Sequence, residues 1–431
     1  MGCARSGQRR SILVRVSGFE DGMKGGTGFI MSAFSTRTAE TLVPARSSAR
    51  FGLRVVIMRS LEDLEPIWRN LERNGDATIF QAFDTFASWT RNIAPARGGD
   101  WFVMVVTDRA DGLPLMLLPF VKCRQGSLVV VEAADLNVCD FNGPVLDRKF
   151  TPTSDEMAAI WEDVRALLPP ADVMRLTKLP ASIGTHPNPL LLLNSVHKIK
   201  LSNFKTPLVL GGQPWSVARL ADKLRCDLAS RRRKLDRRGH VTFATAQTPP
   251  EIDRFFEAMI EQRQSRCVAM GRDNILDCPG HRSFYRSLLN PGSVGCIQAL
   301  LIDDEVIATG YGLVSQEGFH MIFPTFKADG WRNYSPGMQL FIESMAWACT
   351  KGIAFYDFTI GGEEFKASLG AEEYPLYEYL EALSVRGRPA VYHERLRRMV
   401  GTHRRFSALV QRARTIGLSK TGFKAGFKAA P

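Results

Sequence analysis

One order of elements runs twice along the chain, and that repetition limits the fold more than any other feature. In the first pass, Ser60 and Asp63 form a capping pattern for a helix bearing Leu61, Leu64, Ile67, Trp68 and Leu71, and a second amphipathic stretch covers about Gln81 to Ile93. The strand-like runs WFVMVV (101–106), PLMLLPF (114–120) and SLVVVE (127–132) follow and read as an antiparallel meander. A helix from about Asp155 to Leu168 then leads through Pro169-Pro170 into the strand Asp172–Leu176. In the second pass, Thr248 and Glu251 cap a helix with Ile252, Phe255, Phe256, Met259 and Ile260 on one face. The meander is CIQALLID (296–303), EVIATGYGLV (305–314) and GFHMIFPTF (318–326), followed by a helix from Gly337 to Lys351, a stop at Gly352 and the strand Ile353–Phe358. The repetition predicts two α+β domains related by duplication, with mixed, mostly antiparallel sheets flanked by helices.

Charge separates these domains from the ends. The 431 residues hold 56 Lys+Arg against 44 Asp+Glu, a net charge of +12. Residues 1–50 contribute +5 and residues 384–431 contribute +11, so 51–383 carries about −4. The basic balance therefore belongs to the two tails, which read as solvated extensions, and nothing points to DNA binding by the folded body. With 45% hydrophobic residues, 26 Phe and 7 Trp, the chain can bury a large core, and no run of 18 uncharged apolar residues suggests a transmembrane segment. Eight scattered cysteines without CxxC pairs imply neither disulfides nor a metal site, and a cytoplasmic location is expected. The expected organisation is a disordered basic extension (1–50), a first domain (51–215), a bridging helix (216–245), a second domain (246–384) and a basic tail (385–431).

Between the passes lies LADKLRCDLASRRRKLDRRG (220–239), a basic amphipathic helix with Leu220, Leu224, Leu228 and Leu235 along one edge. Its arginines either form a solvated face or line a cleft, where Arg231, Arg232, Arg233, Lys234 and Arg237 would meet an anionic substrate or a cofactor phosphate.

Two stretches can carry chemistry. In Trp331–Leu340, Ser335 is placed to cap a helix, Pro336 suits its first turn and Gly337 permits close approach to the backbone, so exposed amides could hold a pyrophosphate. The matching helix of the first pass opens Thr153-Ser154-Asp155-Glu156, and its carboxylates would repel an anion. In Tyr356–Lys366, Asp357 ends a strand and Gly361-Gly362 turns the chain back, so Asp357, Glu363, Glu364 and Lys366 can converge. His320 reads as a hydrogen-bonded sheet histidine rather than a general base. Asp135, Asp140 and Asn142, before Gly143-Pro144, read as a polar turn or a substrate contact at the domain cleft. The chain has no GxSxG, HExxH or GxxxxGK[ST] motif.

The features just described, together with Phe80-Gln81, Trp89, Leu117-Leu118-Pro119, Asp140 near Gly143-Pro144, Arg231–Arg238, Tyr334-Ser335-Pro336-Gly337, Asp357-Phe358, Gly361, Phe365-Lys366 and Gly370-Ala371, resemble the GNAT acyltransferase superfamily over about residues 54–384. The resemblance is to its CelD-type members, associated with bacterial cellulose and exopolysaccharide synthesis and related to the Fem-type aminoacyltransferases. It implies tandem GNAT-like domains, the first degenerate, and an acyl-CoA co-substrate with no metal. The acyl-CoA would lie along Gly318–Phe326, including Phe323, with its pyrophosphate at Ser335, Gly337, Met338 and Gln339. The acceptor would be an amine or hydroxyl of a small molecule or saccharide precursor, with polysaccharide-synthesis proteins as partners. Tyr334, Asp357 and Lys366 then become the catalytic candidates, with Tyr356 as an alternative proton source. Arg231, Arg232, Tyr356 and Glu364 fall to the substrate. The alternatives are an aminoacyl-tRNA-dependent transferase and a non-catalytic scaffold.

Overall fold

The computed structural model describes residues 46–48, 51–315, 317–361 and 364–402. Most of the expected N-terminal extension, Gly362 and Glu363, and the tail beyond residue 402 lie outside the described residues. No described helix is long and apolar enough to cross a membrane.

The first pass forms β1 (Leu53–Met58), α1 (Leu61–Asn74), α2 (Phe83–Ala96), β2 (Asp100–Asp108), β3 (Pro114–Gln125), β4 (Leu128–Ala133), α3 (Ser154–Leu167) and β5 (Val173–Pro180). Then come β6 (Val196–Pro207), the bridging helix α4 (Asp222–Asp236) and β7 (Val241–Thr245). The second pass forms α5 (Pro249–Ala269), α6 (Pro279–Ser287), β8 (Gly295–Ile302), β9 (Glu305–Val314), β10 (Gly318–Phe326), α7 (Pro336–Thr350), β11 (Phe355–Ile360), α8 (Glu364–Ser368) and β12 (Glu372–Ala382), and α9 (Arg388–Thr402) closes the described chain. The expected capping is present where the Ser60 hydroxyl accepts the Asp63 amide and Glu251 accepts that of Thr248. Strands β1, β6, β7 and β12 and helices α6, α8 and α9 have no counterpart in the sequence reading; the bridging helix, expected over 216–245, is confined to α4, with β7 in its expected C-terminal part, and α9 occupies residues expected to be tail.

Both passes contribute to one continuous sheet, ordered β1-β2-β3-β4-β5-β12-β6-β11-β10-β9-β8-β7. In each pass four antiparallel strands end in a parallel pair, β4 with β5 and β10 with β11, because a helix carries the chain back across the sheet. The last strands change places: β6 pairs with β11 of the second pass, while β12 pairs with β5 of the first. That exchange ties the halves together through backbone hydrogen bonds. The mixed α+β class with a mostly antiparallel sheet agrees with the expectation from sequence.

Alternate residues of the strands feed opposite faces. On one face α1, α2, α5 and α6 share a single apolar cluster that includes Trp68, Phe86, Trp89, Phe256, Met259 and Tyr285. Gly280 lets α6 approach α2, since a Cβ there would lie 2.6 Å from the Asn92 carbonyl oxygen, and the Ser88 and Ser287 hydroxyls meet at 2.6 Å across the contact. The other face is covered by α3 in the first half and by α4 and α7 in the second.

Candidate active site

The parallel pairing of β10 and β11 lasts for three residues, Gly318–His320 against Phe355–Asp357. Beyond His320 and Asp357 the strands part. Thr359 turns β11 aside with φ +57, a conformation costly for a β-branched residue. Two bonds hold it there: its amide donates to the Asp357 carboxylate at 2.7 Å, and its hydroxyl donates to the Met321 carbonyl at 3.3 Å. Among the described residues, no strand pairs with Ile322–Phe326 on the side that β11 has left.

Asp357 is fully buried at the parting point. Asn203 Nδ2 donates to it at 3.3 Å, Lys205 Nζ stands 3.7 Å away, and His320 Nδ1 is at 3.3 Å. The Lys205 ammonium is surrounded by the rings of Phe355 (4.7 Å), Phe141 (5.7 Å) and Tyr374 (5.8 Å). His320 packs edge-to-face against Phe80, Phe141 and Phe355. Contrary to the sequence reading, its Nδ1 is buried and makes no hydrogen bond of acceptable geometry.

Phe80 and Phe141 belong to the first half, and the loop carrying Phe141 is built around Asp135. That carboxylate accepts the amides of Val138 and Cys139 and the Asn142 side chain, and it meets Lys178 Nζ at 2.6 Å. Burial works against the Lys178 ammonium, but Asp135, with Asp140 and Cys139 adding to it, outweighs burial and the pKa stands above the ordinary lysine value. The loop presents Asp140 to the Thr359 hydroxyl. Burial first, and the neighbouring Asp135 and Asp357 carboxylates, push Asp140 up to about 6, although Lys178 and Thr359 oppose the shift. Asp140, Lys205, His320 and Asp357 thus converge from both halves, and Tyr374, beside Lys205, is exposed to solvent.

The sequence-derived candidates divide. Asp357 lies at the centre of this cleft. Tyr356, the preceding residue of the strand, faces the opposite way: it is fully buried and its hydroxyl donates to Ser344, so it is turned away from Lys205 and His320. Lys366 is buried, and its Nζ donates to the carbonyls of Ile360 and Gly361 at 3.0 Å, holding the end of β11. Glu364 is exposed at the start of α8. Phe323 packs among Tyr285 and Tyr311, with the Arg263 guanidinium 4.4 Å from its ring centre. Tyr334 lies beside Trp331 with the ring planes tilted at 57°, and no hydrogen bond or ring contact joins it to Asp357 among the described residues.

The start of α7 differs from the expected cap. Ser335 adopts φ +52 and does not cap the helix; its hydroxyl accepts from Arg231 at 2.8 Å, and its carbonyl takes the Met338 and Gln339 amides. Pro336 has no N–H, so among the described residues the Gly337 amide is the one donor left open in this turn. Gln339 is occupied in donating to the Leu228 carbonyl, and Met338 is half-buried against the α4–α7 cluster. Arg231 also donates to the Asn333 carbonyl, while Arg232 pairs with Glu343 at 2.6 Å and with Asp236. The basic helix therefore docks on the α7 turn through Arg231 and Arg232.

The residues around Asp357 that the sequence reading did not assign, Asn203 and Lys205, come from β6. VHKIKLSNFKTP (196–207) lacks the alternation that marks a strand.

Residues 222–367 match the family model described as the acetyltransferase (GNAT) domain. No curated protein matches the chain. Among solved structures the chain is similar to FemX, with 10% identity over 78% of this chain and 98% of that one and a TM-score of 0.54. It is also similar to a conserved protein of unknown function from Bacteroides thetaiotaomicron, with 11% identity over 75% and 98% and a TM-score of 0.49. A tandem GNAT protein from the clavulanic acid biosynthesis pathway aligns with 12% identity over 77% and 99% and a TM-score of 0.44. At this identity the FemX likeness is one of fold.

Proposed function

We propose that the protein transfers an acyl group from acyl-CoA to an amine or hydroxyl acceptor, in the second half of the chain (246–384). The observation that carries this reading is the parting of β10 from β11 at His320 and Asp357. The free edge of Ile322–Phe326 offers backbone groups to a pantetheine arm, which can pair there as an added strand. Further along, the Gly337 amide and Arg231 stand where a pyrophosphate would end. The GNAT match to residues 222–367 supports the same donor.

The acceptor enters past Tyr374, on the face where Asp140, Lys205 and Asp357 converge. Asp357 orients the nucleophile toward the thioester, and Lys366 acts indirectly by fixing the end of β11. Tyr334, in the turn before α7, remains the candidate proton source for the leaving thiolate. The first half (51–215) serves as a non-catalytic partner, because the α3 N-terminus is closed by the Thr153–Glu156 capping box. A saccharide precursor of cellulose or exopolysaccharide synthesis is the acceptor suggested by the CelD resemblance, and the cytoplasm the location.

Calorimetric titration of the full chain with acetyl-CoA tests the donor. Binding is expected, and Asp357→Asn should keep that affinity within about threefold while acyl transfer collapses. Binding of aminoacyl-tRNA in place of acetyl-CoA would move the protein to the Fem-type reaction. Binding of neither would leave the scaffold reading.

A further inference from the structure

We infer that His320 is the general base that takes the acceptor proton, held in one orientation and one tautomer by Asp357. The inference rests on the acyl-transfer reading and adds to it the residue that moves the proton.

The Asp357 carboxylate lies within ion-pair distance of the His320 ring, although no hydrogen bond is formed between them. His320 Nδ1 is sealed from solvent and stands 3.3 Å from the Asp357 carboxylate. Nε2 makes no hydrogen bond among the described residues, so the ring presents one nitrogen to an anion and the other to the cleft. Phe80, Phe141 and Phe355 meet the ring at 67–86° between planes, which restricts its rotation. The anion is itself fixed by Asn203 and the Thr359 amide. Among the buried histidines, His281 has its Nδ1 unpartnered as well, but no carboxylate faces it and burial lowers its pKa.

The groups around His320 come from every neighbouring element. Asp357 and Phe355 lie on β11, Asn203 and Lys205 on β6, and Phe80, Asp140 and Phe141 in the first half. Lys205, 3.7 Å from Asp357, competes with an imidazolium for that carboxylate.

In the step, the acceptor oxygen or nitrogen bonds to the thioester carbonyl carbon while its proton passes to Nε2. Asp357 stabilises the imidazolium so formed. The C–S bond then breaks, the acyl group stays on the acceptor, and the thiolate leaves as free CoA thiol with the proton of Tyr334, which the proton on Nε2 replaces by way of solvent. The imidazole is neutral again at the end.

The test uses the full chain with ¹⁵N-labelled histidine, read by ring ¹⁵N–¹H correlation, with the His320 signals assigned by their loss in His320→Gln. The expected result is a neutral ring protonated at Nδ1 and bare at Nε2, a preference lost in Asp357→Asn. A proton on Nε2 in the wild-type protein would overturn the assignment whatever the donor proves to be. In parallel, thiol release from acetyl-CoA is followed with water, glucosamine and glucose as acceptors. His320→Gln should slow every detectable reaction by about a hundredfold or more, with acetyl-CoA affinity kept within about threefold. An unchanged rate would equally overturn it. Failure of the wild-type protein to bind acetyl-CoA would instead remove the donor reading and leave the tautomer result to decide the role of His320.

Discussion

Lys178 Nζ lies 2.6 Å from the Asp135 carboxylate, both groups are largely shielded from water, and the pair holds together the loop that delivers Asp140 and Phe141 to the second half. Removing one partner of a buried pair strands the other, which costs about 3–5 kcal/mol. Lys178→Met should therefore lower stability to urea by that amount. The double variant Asp135→Asn, Lys178→Met should recover part of the loss, and a double variant no more stable than the single one would show that the pair is not the element holding the loop.

Asp140 makes stability depend on pH in a direction opposite to most carboxylates. Its folded pKa of about 6 exceeds the ordinary value of 3.8, so between those two pH values the unfolded chain has released a proton that the folded chain keeps. Stability from this group is full below the ordinary value and falls as pH rises toward 6. Asp140→Asn should accordingly raise Tm relative to wild type at pH 7.5 more than at pH 4.5. Thermal melts at the two pH values check this; an equal shift at both would place Asp140 in a solvated setting.

Gly337 carries the open amide of the α7 turn, and a Cβ added there would sit 3.3 Å from the Phe326 ring. Gly337→Asp adds that crowding together with a negative charge at the positive end of a helix. The charge alone contributes about 0.3–1 kcal/mol when exposed and up to about 2 when partly buried. With the steric effect, acetyl-CoA affinity should drop at least about tenfold by calorimetry, whereas Asp155→Gly at the start of α3 should leave it unaltered.

Val391 separates the part of the basic C-terminus that is structural from the part that is accessory. It is buried on α9 against Val130, Val173 and Leu380. Val391→Ala should destabilise the protein by about 1–3 kcal/mol, and a chain ending at Gly387 should lose more. Ending the chain after Thr402 should leave the melting temperature and acetyl-CoA binding nearly as they were. If both truncations melted alike, the docking of α9 would contribute nothing.

Much of this architecture is local and therefore readable along the chain. Caps such as Ser60 and Glu251, the helical spacing of Ile252 to Ile260, and strands such as 318–326 depend on residues within a turn or two of one another, and each appears where its sequence places it. The repeated order of elements was legible for the same reason, whereas Asp357, expected at the end of its strand, lies inside β11, which runs on to Ile360. What the tertiary structure decided was which distant segments meet. Nothing within 196–207 announces that it will cross to β11 and bring Asn203 and Lys205 to Asp357; that pairing is settled by the need of two sheet edges to satisfy their backbone groups. Tyr356 and Asp357, neighbours in sequence, fall on opposite faces because a strand alternates, and only the packing of α7 against one face and the first-half loop against the other determined which of them reaches the cleft. Ser335 has the composition of a cap, yet Arg231, a hundred positions earlier, claims its hydroxyl. Local propensity set the elements, and long-range burial with its demand for hydrogen-bond partners set the site.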